Sequence, residues 1–233
     1  MAMKKIFERK EQKYLLNQKQ KDALMKALAS YLQPDLYSDY SIQSVYYDND
    51  HFDLFRKSIE KPKYKEKLRL RCYGYPHQAD HPAFLEIKKK YAGVVYKRRI
   101  DLPLNEAYDF ALHPRRGTVS ENEIYTMIER YDLKPQVFVS YDRQAFVWKN
   151  DPDLRITFDS NIRYRLSDLY LESTAKTQAM LPKDEYILEI KCLSNLPRLL
   201  VSMLNRLQIW PASFSKVGYV YKEVILKKEG HYA

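Results

Sequence analysis

The chain is 233 residues long, 45% hydrophobic, and carries a formal charge of +10 from 40 Lys and Arg against 30 Asp and Glu. That length and apolar content support a core in one large domain or two small ones, and the cationic surplus favours anionic partners: nucleic acid, a membrane surface or small polyanions. Glycine is scarce, at 5 residues, and no Walker-type or dinucleotide fingerprint is present, which excludes the glycine-rich phosphate loops of common nucleotide folds.

In chain order, "EQKYLL" is strand-like, and "NQKQKDALMKALASYL" predicts a helix after Asn17 as N-cap, with Leu24, Leu28, Tyr31 and Leu32 along one stripe. "IQSVYYD" reads as a strand and "DHFDLFRKSI" as a short helix. Three strands follow, "KYKEKLRLRCYG", "AFLEIKKKY" and "VVYKRRIDL", separated by the turn signals "YGYPHQADHP" and "YAG". "SENEIYTMIERYD" predicts a helix with a capping box of Ser120 and Glu123. "QVFVSYDRQAFVW", "DLRITFDS", "IRYRL" and "EYILEIKCL" add strands, and "LPRLLVSMLNRLQ" is a further helix with Pro197 in its first turn. The pattern predicts an α+β fold over 1–233 as a single domain, with a mostly antiparallel sheet large enough to close on itself and a few helices beside it.

Alternate strand residues face opposite ways, so each strand can be split into two faces. Lys67, Arg69 and Arg71 oppose Leu68, Leu70 and Cys72. Arg155, Thr157 and Asp159 oppose Leu154, Ile156 and Phe158. The tetrapeptide LEIK occurs twice and places Glu86 with Lys88, and Glu189 with Lys191, opposite leucine and isoleucine. Glu11 aligns with Lys13, Lys97 with Arg99, and Tyr141 with Arg143. Any one of these strands is what a sheet with one wet face shows. Together they place so many Arg and Lys on one face that repulsion between neighbouring strands calls for an anion. Arg offers planar bidentate donors to phosphate oxygens and Lys a compact charge. The glutamates fit hard oxygen ligands for Mg²⁺ or Mn²⁺ bridging to phosphate.

The blocks "ERKEQKYLL", "VYYDND", "KEKLRLRCYG", "FLEIKKK", "VYKRRIDL", "VSYDRQAF", "DLRITFDSNIRYR", "LEIK" and "FSKVGYVYK" resemble, in order and over nearly the whole chain, the polyphosphate polymerase domain of vacuolar transporter chaperone (VTC) proteins, within the CYTH/triphosphate tunnel metalloenzyme superfamily. The resemblance implies a closed antiparallel β-barrel whose charged interior binds ATP and a growing polyphosphate chain. It also implies transfer of the γ-phosphoryl group of ATP to that chain with Mn²⁺ or Mg²⁺. Carried over, phosphate binding falls to Lys13, Arg69, Arg71, Lys88, Lys97, Arg143, Arg155, Lys191 and Lys216, with Tyr141 and Ser215 as hydroxyl donors. Of these, Arg69, Arg71, Lys88, Arg143, Arg155 and Lys191 act in catalysis. Glu189 is the implied metal ligand, with Glu11 and Glu86 beside it. The superfamily's E-x-E-x-K opening is here Arg9-Lys10-Glu11-Gln12-Lys13, which disfavours a hydrolytic two-metal site.

Because a terminal phosphate acceptor is already ionised, no general base is needed, and none of the five histidines is assigned a role. Alternatives are a tripolyphosphatase using water as acceptor and a non-catalytic polyphosphate or nucleotide sensor. Nucleic acid is not expected, because the tyrosines interleave with apolar more than with cationic positions. Cys72 and Cys192 form no metal-ligand pattern, and no secretory h-region or bilayer-length apolar run is visible, so a soluble, reduced, cytoplasmic protein is expected.

Overall fold

The computed structural model describes residues 10–60, 62–92, 94–193 and 195–230. Among these residues there are nine strands: β1 (Lys10–Asn17), β2 (Leu32–Asp48), β3 (Tyr64–Tyr73), β4 (Pro82–Tyr91), β5 (Val94–Pro103), β6 (Lys134–Trp148), β7 (Asp151–Arg165), β8 (Gln178–Ala179) and β9 (Glu185–Cys192). They hydrogen-bond in the order β1-β9-β7-β6-β2-β3-β4-β5, with β8 on β7. This confirms a mixed α+β fold with a large antiparallel sheet. The closed barrel is corrected: among the described residues no ladder joins β1 to β5, so hydrogen bonds do not close the sheet. The free side of β1 is covered locally, by a bridge from Tyr14 to Pro211 and a 2.7 Å bond from the Ala212 amide to the Lys13 carbonyl. The other end strand, β5, carries Lys97, Arg98 and Arg99 in succession, a charge run of the kind that guards a sheet edge.

The chain forms two compact units, and β2, β6 and β7 each begin in one and end in the other. The first unit comprises 1–40, 142–161 and 181–214. Its core packs Tyr14, Leu16, Leu154, Ile156, Phe158, Leu188 and Ile190 against α1 (Gln18–Leu28) and α5 (Arg198–Arg206). Asn17 caps α1 as expected, in a reciprocal capping box with Gln20. Pro197 lies one residue outside α5, at its N-cap, rather than within the first turn.

The second unit comprises 41–141, 162–180 and 215–233. Leu68, Leu70, Cys72, Leu85 and Ile87 form its core with α2 (Asp53–Glu60), α3 (Leu104–Leu112) and α4 (Val119–Tyr131). Thr118, paired with Glu121, caps α4 instead of Ser120 with Glu123. Glu123 is instead taken by Lys89 at 3.1 Å and Arg98 at 2.8 Å. A C-terminal helix, α6 (Lys216–Val220), continues through a π-helical turn (Tyr221–Ile225) into α7 (Leu226–Glu229). The two strands read from "DLRITFDS" and "IRYRL" are one strand, bent where Asn161 adopts a left-handed φ of 48° that asparagine tolerates. No helix among the described residues is long and apolar enough to cross a membrane.

Candidate functional site

Each unit gathers part of the expected residue set on one sheet face. In the second unit, antiparallel register places Lys88 of β4 directly opposite Lys67 of β3 on one side and Lys97 of β5 on the other. The next row on the same face is Arg69, Glu86 and Arg99, and the third begins with Arg71 opposite Phe84. Three lysines side by side repel one another, and directly opposed like charges destabilise a sheet.

Glu86, 1% exposed, is the counter-charge of this face. Its Oε2 accepts from Arg69 Nε and Nη2, both at 2.7 Å, and lies 4.0 Å from Arg71 Nε, while its Oε1 faces Lys97 Nζ in an ion pair. Burial by itself would raise this carboxyl, but Arg69, Arg71 and Lys97 outweigh it and bring it down to about 2. Hydroxyls complete the arginine shell. Arg69 Nη1 donates to Tyr46 at 3.2 Å, and Arg71 donates from Nε to Ser44 and from Nη2 to Tyr141, each at 3.2 Å. Burial would raise the Tyr46 phenol, yet Arg69, Arg71 and Lys67 pull it below its ordinary value. Ser215 caps α6 and accepts from Lys67 Nζ at 3.0 Å. Lys216 Nζ stands 4.0 Å over the Tyr141 ring. Arg99 shares the face but stacks on Phe84, 4.5 Å from its ring centre, and pairs with Asp101.

The first unit presents a different charge pattern. Register aligns Glu11, Lys191 and Arg155 in one row across β1, β9 and β7, and Lys13, Glu189 and Thr157 in the next. Acids and bases are therefore mixed on this face, where the second unit's face is mostly cationic. Glu189 pairs with Lys191 and lies 3.8 Å from Lys13 Nζ, which is also 3.6 Å from Glu11. Burial opposes ionisation of Glu189, but Lys191, Lys13 and Arg143 hold its carboxyl far below the usual carboxylate range. Arg143 donates Nε and Nη2 to the two oxygens of the fully buried Asp159, at 2.7 and 2.9 Å. Arg155 pairs with Asp35 at 2.7 Å.

The expected strand residues lie on these faces, with Lys13, Glu11, Arg143, Arg155, Glu189 and Lys191 in the first unit and the remainder in the second, where Ser215 and Lys216 stand at the start of α6. Arg9 lies outside the described residues, as does His231. Sequence reasoning did not assign Tyr46, Ser44, Asp35 or Asp159. Asp159 shares strand parity with Arg155 and Thr157, so its face was readable, but its partner Arg143 is on another strand.

Among the described residues no cluster of three or more His, Cys, Asp and Glu could form a protein-only metal cage. The donors present fit a different arrangement: Glu189, with Glu11 diagonal to it across β1 and β9, would supply one or two carboxylates, and phosphate oxygens would complete the coordination. Mg²⁺ and related ions are commonly held this way. Glu86, the third carboxylate expected as a ligand, is engaged by Arg69, Arg71 and Lys97, much as Glu189 is by Lys191, Lys13 and Arg143.

A largely antiparallel sheet with helices beside it is a fold also seen in a solved structure. A Bacillus halodurans protein with a proposed adenylate cyclase assignment superposes at a TM-score of 0.52 and 13% identity, covering 90% of this chain and 94% of its own; this likeness concerns the fold alone. The chain belongs to the VTC domain family, whose model matches residues 8–223. It is 33% identical over 161 residues to vacuolar transporter chaperone complex subunit 4 of Trypanosoma brucei brucei, covering 56% of this chain and 20% of that protein. The corresponding Schizosaccharomyces pombe subunit is 32% identical over 152 residues, covering 53% and 20%. The matched region therefore spans about one fifth of these relatives.

Proposed function

We propose that this domain binds the triphosphate of ATP and linear polyphosphate on its cationic faces and transfers the γ-phosphoryl group to a polyphosphate chain end. The observation that carries this reading is the in-register row Lys67, Lys88 and Lys97 beside Arg69 and Arg71, an arrangement that gains stability when a polyanion neutralises it. Family membership agrees with it.

In this reading, Arg69 and Arg71 are pre-oriented by Glu86, Ser44, Tyr46 and Tyr141, and offer their remaining N–H groups to phosphate oxygens. Lys67, Lys88, Lys97 and Lys216 supply neutralising charge, and Tyr141 and Ser215 supply hydroxyls. In the first unit, Lys13, Lys191, Arg143 and Arg155 hold phosphate oxygens. Glu189 and Glu11 would hold Mg²⁺ or Mn²⁺, which supplies charge neutralisation on the phosphoryl oxygens when bound. The bond between the γ-phosphorus and the β,γ-bridging oxygen breaks, and one forms from that phosphorus to a terminal phosphate oxygen of the chain. ADP leaves with the bond electrons. The acceptor oxygen is already anionic, so no side chain removes a proton, and catalysis is positioning and charge neutralisation.

The test is incubation of the purified protein with ATP and Mn²⁺ or Mg²⁺, with gel staining for long phosphate chains. Chain growth with ADP release is expected, and loss of both in Arg71→Ala. Orthophosphate release from tripolyphosphate without chain growth would assign a hydrolase instead, and tight binding without any product a sensor.

A further inference from the structure

Among the described residues three buried side-chain polar atoms lack a hydrogen-bond partner. One, Glu86 Oε1, faces the Lys97 ammonium. The other two, Arg155 Nε and Thr157 Oγ1, are on the same strand at consecutive same-face positions. A buried hydroxyl without a partner forfeits its hydration and gains nothing in return, at a cost native proteins rarely retain without a functional reason. Thr157 is 4% exposed and lies directly opposite Glu189, in the row that also holds Lys13. Valine has the same shape and favours strands equally, so packing alone does not account for threonine here.

We propose that Thr157 is a substrate-positioning residue whose hydroxyl, together with the Arg155 Nε–H, donates to one non-bridging oxygen of a bound triphosphate next to Glu189. The inference rests on the phosphate-binding reading above and adds to it a neutral donor among charged ones. The two groups share one strand face, and the Arg155 Nε–H can only donate, so the pair matches an anionic oxygen better than a cation. With no protein partner of its own, the hydroxyl gains its hydrogen bond from the phosphate, so its contribution goes to binding.

The test compares wild type, Thr157→Val, Thr157→Ser and Lys191→Ala, using calorimetric titration with tripolyphosphate and thermal unfolding without ligand. Thr157→Val is expected to bind about tenfold more weakly while its Tm stays equal or rises, because removing an unpartnered buried hydroxyl relieves a desolvation cost. Thr157→Ser is expected to stay within about twofold of wild type, since it keeps the donor. Unchanged affinity in Thr157→Val overturns the proposal, as does a weaker Thr157→Val whose Tm falls, which would mark the hydroxyl as structural. If wild type and Lys191→Ala both fail to bind tripolyphosphate, the phosphate-binding reading itself fails, and this inference with it.

Discussion

Arg143 grips Asp159 through two parallel hydrogen bonds, at 2.7 and 2.9 Å, with the carboxylate fully buried. This fork fixes the plane of the guanidinium, whose charge also acts on Glu189. Removing one partner of a buried pair strands the other charge. Asp159→Ala is therefore expected to lose about 3–5 kcal/mol of stability in urea unfolding. Asp159→Asn, which keeps the shape and one acceptor, is expected to lose less while still lowering tripolyphosphate affinity.

Glu86 yields a pH prediction. Its folded-state carboxyl is brought from an ordinary 4.5 to about 2. A depressed carboxyl stabilises fully above its unfolded value, and this contribution is lost as pH falls through the folded one. Glu86→Gln is expected to be less stable than wild type at pH 7 by on the order of 3 kcal/mol. That gap should narrow below about pH 4.5 and close near pH 2. Urea titrations at stepped pH values check it, and a gap constant with pH would remove Glu86 as the anchor of Arg69 and Lys97.

The lysine row predicts coupling between ligand and stability. Tripolyphosphate at a hundredfold excess over its Kd is expected to add about 2.7 kcal/mol to unfolding free energy. The gain should shrink as added salt screens the exposed charges. Lys88→Ala, at the centre of the row, is expected to weaken tripolyphosphate binding by about tenfold, as for a lost charge-assisted bond. Differential scanning calorimetry and titration measure both effects.

Metal removal separates binding from turnover. With the metal chelated, tripolyphosphate binding is expected to persist, because the donors are Arg and Lys, while phosphoryl transfer stops. Glu189→Gln is expected to reproduce the chelated state: measurable tripolyphosphate binding in calorimetry, and no response of turnover to added Mn²⁺ or Mg²⁺.

Much of the sheet and of the charged faces was legible in the sequence, because strand alternation has a period of two and the apolar sets are unbroken. Glu86 with Lys88, and Glu189 with Lys191, share faces as the LEIK repeats imply. Other features depend on what the sequence does not print. Thr118-x-x-Glu121 and Ser120-x-x-Glu123 both fit a capping box, and only the demand of Lys89 and Arg98 for Glu123 decides between them. The C-terminal helix from Lys216 to Glu229 carries Val217, Val220, Tyr221 and Ile225, residue types that favour strands, and burial of those same residues overrides the preference. The first half of β2 was missed at Pro34 and Asp35, residues that strands disfavour. Strand parity assigned residues to faces, but it did not reveal that Glu86 is saturated by three cations, since that depends on which strands are neighbours.

The most direct test is a crystal structure with tripolyphosphate and Mn²⁺ bound. The account predicts phosphate oxygens within hydrogen-bonding distance of Arg71, Lys88 and Lys191, with the metal on Glu189. Phosphates bound elsewhere, with these side chains contacting none, would contradict it.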